Sequence, residues 1–422
     1  MTANPPAATA LPSLAAADWL QSPDTQAVLS PLARAGFEAR VVGGAVRNAL
    51  LGRPVKDVDI ATTATPQKII AATKAAGLKA METGIAHGTI TVVSNHKPFE
   101  VTTLRRDVAT DGRRARVAFT ADWSADASRR DFTINALYCD ADGMVHDPLG
   151  GYGDIQEHRV RFIGDAADRI REDYLRILRF FRFTAEYSDG VPDAVGLAAC
   201  IALKDGIKRL SGERRRMELL RILPAARAPA IVAVLHDTGI LPLALGSQGD
   251  ASLLSRVAAL ERANHGGPDA VLRLGAIGLA KPGDAEVLRQ SLKLSSNDAE
   301  RLARMALPDR AYDPATSELE AKAIIYRHGE QAFRDGVVLT WARSEAHLDD
   351  PDWIARLTLA QRWQPPDLPI RGADILALGV APGPDVGRIL SAFEDWWIAA
   401  DFPMTPALLA KRLQHMVMVS KA

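Results

Sequence analysis

A small mixed α/β head followed by an all-helical remainder is the fold class that this 422-residue chain predicts. Two patterns carry that expectation. Up to about residue 150, short β-branched runs alternate with helix-like segments. Beyond it the strand signal stops. Leu-, Ala- and Arg-rich stretches of helical period take over, broken at Gly266-Gly267-Pro268 and Gln364-Pro365-Pro366. Such a change of period in a chain of this length implies more than one folding unit.

Taken in order, the first dozen residues (MTANPPAATALP) are rich in Ala and Pro and read as a tail. Strands are expected at Phe37–Val42, Val55–Ile60, Thr89–Val93, Phe99–Thr103 and Ile134–Cys139, where β-branched and aromatic residues cluster. Gly43-Gly44 opens a short helix after the first strand, and Gly52 closes it. One long buried helix is expected over residues 171–183, apolar on every side, and another over Ser211–Leu223, led by a capping-type serine.

Composition narrows the class. The two cysteines, Cys139 and Cys200, lie far apart and exclude a disulfide framework or zinc site, so a reducing cytoplasm is the expected compartment. The N-terminus lacks a basic segment followed by an apolar core, and no apolar run reaches the ~20 residues that span a bilayer. A cytosolic protein with no membrane contact is expected. Net charge is formally +0, with 51 basic and 51 acidic residues, yet the arginines cluster. Arg105, Arg106, Arg113, Arg114 and Arg116 crowd one segment, Arg129 and Arg130 follow, and Arg214, Arg215 and Arg216 form a third group. Local positive charge binds phosphates even where the total balances, although such clusters are also common on solvated surfaces.

The chemistry-bearing stretch is VVGGAVRNALLGRPVKDVDI, residues 41–60. Glycines let backbone N–H groups approach a phosphate at the helix N-terminus, so Gly44 and Arg47 become candidate triphosphate contacts. Asp57 and Asp59 stand two apart in the expected strand, which turns both carboxylates to one face. Paired carboxylates repel unless a cation sits between them, and oxygen ligands of this kind suit Mg²⁺. In SRRDFTINAL (128–137), Arg130 can hold phosphate or sugar oxygens and Asp131 can accept from a ribose hydroxyl; a salt bridge at a helix start is the plain alternative.

GGAVRNALLG followed by KDVDIAT resembles the signature of the class II CCA-adding enzymes and bacterial poly(A) polymerases. The resemblance continues in order through TGIAHGTITVV (83–93), FEVTTLRRD (99–107), SRRDFTINAL, REDYLRILRFFRF (171–183) and SGERRRMELLRIL (211–223). It covers roughly residues 38–225, with a looser match at GADILALGVAPGPDVGRIL (372–390). The resemblance implies a nucleotidyltransferase head at 31–150 behind an N-terminal extension (1–30), a helical neck at 151–245, and a helical body and tail at 246–422. It implies Mg²⁺ on Asp57 and Asp59 in a two-metal arrangement, ribonucleotide selection by the RRD motif, and a flexible loop at Leu104–Phe119 that helps the site switch from C to A. That loop argues against an enzyme restricted to adding CC.

In REDYLRILRFFRF, Asp173, Arg176, Arg179 and Arg182 recur at every third position of an otherwise apolar helix. Buried charges need partners, which ion pairs within the chain or a polar ligand can supply. Cytosine and adenine both present an amino donor beside a ring-nitrogen acceptor, and an Asp beside an Arg complements that pair. Guanine and uracil present the wrong groups and would strand buried polar atoms. The family reads CTP and ATP with an EDxxR motif in this way, which maps onto Asp173 and Arg176, with Arg179 and Arg182 as further nucleotide contacts. The Ser211–Leu223 helix either binds primer RNA or braces the head.

The function this implies is template-independent addition of CCA to the tRNA 3′ end from CTP and ATP, with no obligate protein partner. Poly(A) addition on the same fold, or a partial CC- or A-adding activity, is the alternative; TGIAHGTITVV favours the CCA enzymes. An RNA-binding module with a decayed head is opposed by the intact motifs. Three features stay outside this reading. His236-Asp237 lacks the further ligands of a metal-dependent phosphohydrolase, Trp396-Trp397 fits a helical core, and Glu100 is either a third carboxylate or structural.

Overall fold

The computed structural model describes residues 11–109, 116–264, 266–281, 283–306 and 310–421. The chain divides into two compact units, residues 1–244 and 245–422.

Helices α1 (Asp18–Gln21) and α2 (Pro23–Arg34) come first, then β1 (Ala39–Val42), α3 (Gly44–Leu50), β2 (Asp59–Thr62), α4 (Pro66–Ala75), β3 (Lys79–Gly84), β4 (Thr89–Ser94) and β5 (Lys97–Thr103). After them come β6 (Arg105–Ala109), β7 (Arg116–Phe119), α5 (Trp123–Ser128), β8 (Tyr138–Cys139) and β9 (Val145–His146). Seven strands form one sheet in the order β3-β4-β5-β2-β1-β8-β9, in which β2 and β5 run parallel and the other neighbours antiparallel. The mixed sheet expected from the sequence is therefore present. Period-two burial is plain in β4, where Ile90, Val92 and Ser94 are buried between half-buried neighbours. Helices α2 and α4 cover one face with Val28, Leu29, Leu32 and Ile69. Val42, Ala61 and Tyr138 pack on the other against Ala127 of α5.

The same unit continues as helices α6 (Gly151–Gln156), α7 (Ala166–Glu172), α8 (Leu175–Tyr187), α9 (Ala194–Ala202), α10 (Gly212–Ile222), α11 (Ala228–Asp237) and α12 (Leu241–Leu245, which runs to the boundary). The second unit runs through α13 (Leu254–Ala263), α14 (Ala270–Gly278), α15 (Asp284–Leu292), α16 (Ser296–Met305), α17 (Glu318–Arg343, kinked at Gly329), α18 (Pro351–Arg362), α19 (Gly372–Ala377), α20 (Pro384–Ala399) and α21 (Pro406–Lys421). Among the described residues no strand follows β9. The second unit's distal core gathers Phe393, Trp397 and Phe402, so Trp397 is a core residue and Trp396 lies half-buried beside it.

Several expectations are corrected. The strand expected over Val55–Ile60 starts only at Asp59, opposite Val42, the last residue of β1. The Ile134–Cys139 strand is reduced to Tyr138–Cys139, preceded by a 3₁₀ turn at Thr133–Asn135. The helix expected over 171–183 is broken at Asp173, whose backbone is extended (φ −155°, ψ 108°). Part of the expected loop at Leu104–Phe119 is a β6–β7 ribbon; its remainder, including Arg113 and Arg114, lies outside the described residues. Residues 1–10 of the expected tail also lie outside them, while the rest of the 1–30 extension is largely the helices α1 and α2. Ser211 stands at the N-cap of α10, but its side chain makes no capping hydrogen bond.

Candidate active site

Gly43 turns the chain from β1 into α3 with φ +69° and ψ −114°, a backbone state that side chains resist. This turn sets Gly44 and Arg47 beside Asp59, which faces Val42 across the β1–β2 ladder. Asp57 precedes β2, so the two carboxylates are brought together by an irregular segment and not by the pleat of one strand. Both line a cleft of about 820 Å³ with Arg47, Arg53, Lys56 and Tyr187. Asp59 also lines an adjoining cavity of about 640 Å³; its walls include Gly44, Arg47, Arg130, Asp131, Asp173, Arg176, Arg179 and Arg182. Every other nucleotide-contact residue expected from the sequence thus meets Asp59 in one cavity.

Asp59 remains open to solvent, yet its carboxyl sits among crowded protein atoms. That desolvation, with the charges of Glu100 and Asp57, pushes it up to about 6, against a partial offset from Arg130. Glu100 lies one strand away, on β5 beside β2. It acts on Asp59 through charge, and among the described residues no group of three His, Cys, Asp or Glu side chains forms a metal cage. The side chains of His236 and Asp237 hydrogen-bond to each other, and both residues are exposed.

Arg130 is anchored by Asp126 of α5 at 3.0 Å, and Asp126 also accepts from the Tyr138 hydroxyl at 2.9 Å. Its Nε is buried without a hydrogen-bond partner among the described residues, as is that of Arg182. Buried donors of this kind are met by water, an ion or a ligand, and these two belong to arginines that line the cavity. Asp131 accepts from the Phe132 amide (2.9 Å), Asn135 (3.1 Å) and Arg179 (2.7 Å). Burial alone would raise its carboxyl, but the Arg179 guanidinium and these hydrogen bonds hold it below the usual range. Arg47 is buried, donates to Asn135 and to the Tyr187 hydroxyl (2.7 Å), and lies 4.1 Å from the Tyr187 ring centre. Burial lowers its pKa.

The helix break at Asp173 has a local cause. Asp173 Oδ1 accepts from the Leu175 amide at 3.1 Å and so starts α8, a competition with the helix that aspartate commonly wins. Arg176 donates to Glu172 and to the Arg169 carbonyl (2.7 Å), and Arg169 in turn reaches Glu172 and the carbonyls of Arg129 and Arg130. A chain of contacts therefore joins the RRD segment to the α7–α8 corner. Arg182 is paired with Glu218 of α10 at 3.2 Å, both almost fully buried. Arg214 of α10 donates to Asp173 at 2.6 Å. The interleaved arginines are thus satisfied by ion pairs within the chain while their free faces line the cavity.

Sequence reasoning missed Glu172, Arg169, Asp126, Asn135, Tyr187 and Glu218 as partners of the site. For Tyr187 and Glu218 the signal exists only in three dimensions, since Arg47–Tyr187 spans 140 positions and Arg182–Glu218 spans 36. Glu172, Asp126 and Asn135, by contrast, each stand a helical turn from Arg176, Arg130 and Asp131, a spacing legible in the sequence.

Comparison with known proteins bears on this geometry. The family profile described as "Poly A polymerase head domain" matches residues 39–161, and one described as "Probable RNA and SrmB- binding site of polymerase A" matches residues 196–245. The mitochondrial CCA tRNA nucleotidyltransferase 1 of Danio rerio is 35% identical over 392 residues, 90% of this chain and 88% of the relative. The CCA-adding enzyme of Limosilactobacillus fermentum is 32% identical over 86% of this chain and 89% of its own. Among solved structures, the Bacillus stearothermophilus CCA-adding enzyme in complex with CTP matches with a TM-score of 0.72 at 27% identity, over 90% of this chain and 93% of that one. The Thermotoga maritima CCA-adding enzyme complexed with tRNA shares the fold, with a TM-score of 0.64 at 18% identity over 94% of each chain.

Proposed function

The chain belongs to the CCA tRNA nucleotidyltransferases, and from that premise we propose that its first unit adds C, C and A to tRNA 3′ ends in the cavity bounded by Asp59 and Asp173. One observation carries this: Asp59, to which we assign the metal, and Asp173 and Arg176, to which we assign base reading, line the same space of about 640 Å³, a size suited to one small ligand. In the reaction the tRNA 3′-hydroxyl oxygen bonds to the α-phosphorus of CTP or ATP. The bond from that phosphorus to its bridging oxygen breaks, pyrophosphate leaves, and the hydroxyl proton is lost.

Asp57 and Asp59 fit a hard divalent cation. Both offer oxygen only, both lie at an open cleft, and no third protein ligand among the described residues closes a cage, which suits an ion that shares its shell with phosphates and water. Mg²⁺ bound there supplies activation of the hydroxyl and neutralisation of triphosphate charge. Arg130 and Arg182 offer their unpaired buried donors to the nucleotide, with Gly44 and Arg47 lining the same wall. Asp131 lines the same wall, and a ribose 2′-hydroxyl would share its Oδ2 with the Arg179 guanidinium, which already reaches that oxygen through both Nε and Nη2. Arg179 holds Asp131 in that pose. Asp173 and Arg176 read the base edge.

We assign the helical second unit to holding the tRNA arm through phosphate and shape, as duplex RNA is usually held. Among the described residues no helix is long and apolar enough to cross a membrane. Both cysteines are free and buried, which suits a reducing compartment such as the cytoplasm. Relatives include proteins named as mitochondrial, so the family itself does not fix the compartment.

The test is incubation of purified protein and Mg²⁺ with tRNAs ending before CCA, after the first C, and after CC. CTP and ATP are supplied separately and together, and product lengths are read. Growth that stops after CCA supports the proposal. Long A-tails would make the protein a poly(A) polymerase, and a halt after CC would make it a partial enzyme.

A further inference from the structure

Helix α10 carries the arginine triplet that the sequence left between RNA binding and bracing, and it lies within the segment whose profile is described as an RNA-binding site. Arg214 and Arg215, however, are engaged within the chain. Arg214 donates to Asp173 Oδ2 at 2.6 Å, with both side chains four-fifths or more buried. Arg215 donates to the Leu243 and Ala244 carbonyls at 3.1 Å each. One turn along α10 from Arg214, Glu218 pairs with Arg182. The inner face of α10 thus presents a plus and a minus charge four residues apart, each matched to the opposite charge on the base-reading corner.

We propose that Arg214 is a specificity-determining positioning residue: it fixes the Asp173 carboxylate so that only an amino donor beside a ring-nitrogen acceptor, as on cytosine or adenine, completes the site. This rests on the assignment of Asp173 as a base-reading residue. Asp173 sits at a helix break, with no regular backbone to fix its direction. Its orientation is set by two hydrogen bonds, Oδ1 from the Leu175 amide and Oδ2 from Arg214. Those two use part of the carboxylate's acceptor capacity and leave the rest for the cavity that both residues line. The Leu175 bond alone leaves rotation about the side chain unchecked. The Arg214 bond removes that freedom and holds the negative charge in place. An acceptor free to swing could turn away from the carbonyl of uracil or guanine and let the wrong base in. Discrimination by hydrogen bonds depends on the mismatched group having nowhere to go.

The test uses the full-length protein, a tRNA ending before CCA, saturating tRNA, and CTP or UTP; ATP and GTP are compared on a tRNA ending in CC. Wild type should favour CTP over UTP by about 10⁴-fold, as a site built on such bonds does. In Arg214→Met the kcat/KM ratio for CTP over UTP should fall at least about tenfold, through loss with CTP and gain with UTP. Arg214→Lys should recover most of the ratio, because it keeps the charge without the planar fork. A structural role alone would depress both nucleotides equally, and an RNA-contact role would raise the KM for tRNA and leave the ratio unchanged. Either result overturns the proposal. Asp173→Asn and the double variant complete the cycle: the two changes should be strongly non-additive in the CTP/UTP ratio, and additivity counts against coupling. Should Arg214→Met fail to fold, Arg214→Gln carries the same comparison. If Asp173→Asn leaves the ratio at the wild-type value, the base-reading assignment fails first, a separate outcome from failure of Arg214.

Discussion

Asp59 ionises against its surroundings. Its folded value of about 6 lies above the ~3.9 of a free aspartate, so the folded protein holds this proton more tightly than the unfolded chain does. Stability from this group is therefore fully present below about pH 4 and lost as pH rises through about 6 in cation-free protein. A divalent cation supplies the missing counter-charge and should reverse that loss. Thermal melts from pH 4 to 7, with and without Mg²⁺, should show stabilisation by the ion that grows with pH. Asp59→Asn should remove the trend, and a pH-independent effect of Mg²⁺ would sink the metal assignment. Asp57→Ala and Asp59→Ala should each lower nucleotide incorporation by about a thousandfold, the rate equivalent of several kcal/mol of lost charge stabilisation, without unfolding the protein. The identities of these two residues could be read from the sequence. Their geometry could not, because the strand that was to align them begins only at Asp59.

At the level of elements, the pairing of α8 with α10 shows how the largely apolar α8 tolerates its arginines. Arg182 and Glu218 are 6% and 2% exposed, so each neutralises a charge that could not otherwise be buried. Burial outweighs the nearby arginines at Glu218 and raises its pKa, while burial also lowers that of Arg182, as expected of a desolvated pair. Glu218→Ala should cost about 3–5 kcal/mol in urea unfolding because it strands Arg182, whereas Arg182→Leu with Glu218→Leu should come close to the wild type. A single-variant cost no larger than that of the double variant would show the pair to be solvated. Periodicity located α8 and α10 but could not show the break at Asp173, which depends on a side chain capping the next helix. It also missed β3, an edge strand of the sheet with the mostly polar, half-exposed sequence Lys79–Gly84, where no buried face imposes alternation. The β6–β7 ribbon reads as loop in the sequence because its basic residues carry no apolar period. Among the strands that can be read, β4 and β5 have alternate residues buried, while β1 is marked by its β-branched end, where Val41 and Val42 are both buried.

For the whole molecule, a formal net charge of zero gives no long-range field to draw in a polyanion, so RNA must be engaged by local surfaces. Every residue assigned to metal, triphosphate, ribose or base lies before residue 245, inside the first compact unit. That unit also contains the ion pairs Arg130–Asp126, Arg179–Asp131, Arg182–Glu218 and Arg214–Asp173 that hold the cavity walls. Nucleotide binding should therefore survive removal of the second unit, whereas tRNA binding should not. A polypeptide of residues 1–248, once shown to fold by circular dichroism, should bind CTP within about threefold of the full-length Kd. Its tRNA Kd should rise at least about tenfold, and the slope of log affinity against log salt should become shallower as phosphate contacts are lost. A folded fragment that binds tRNA as tightly as the whole protein would move RNA recognition into the first unit and return the α10 arginines to an RNA-binding role. A folded fragment that fails to bind CTP would mean that the nucleotide site depends on the second unit after all.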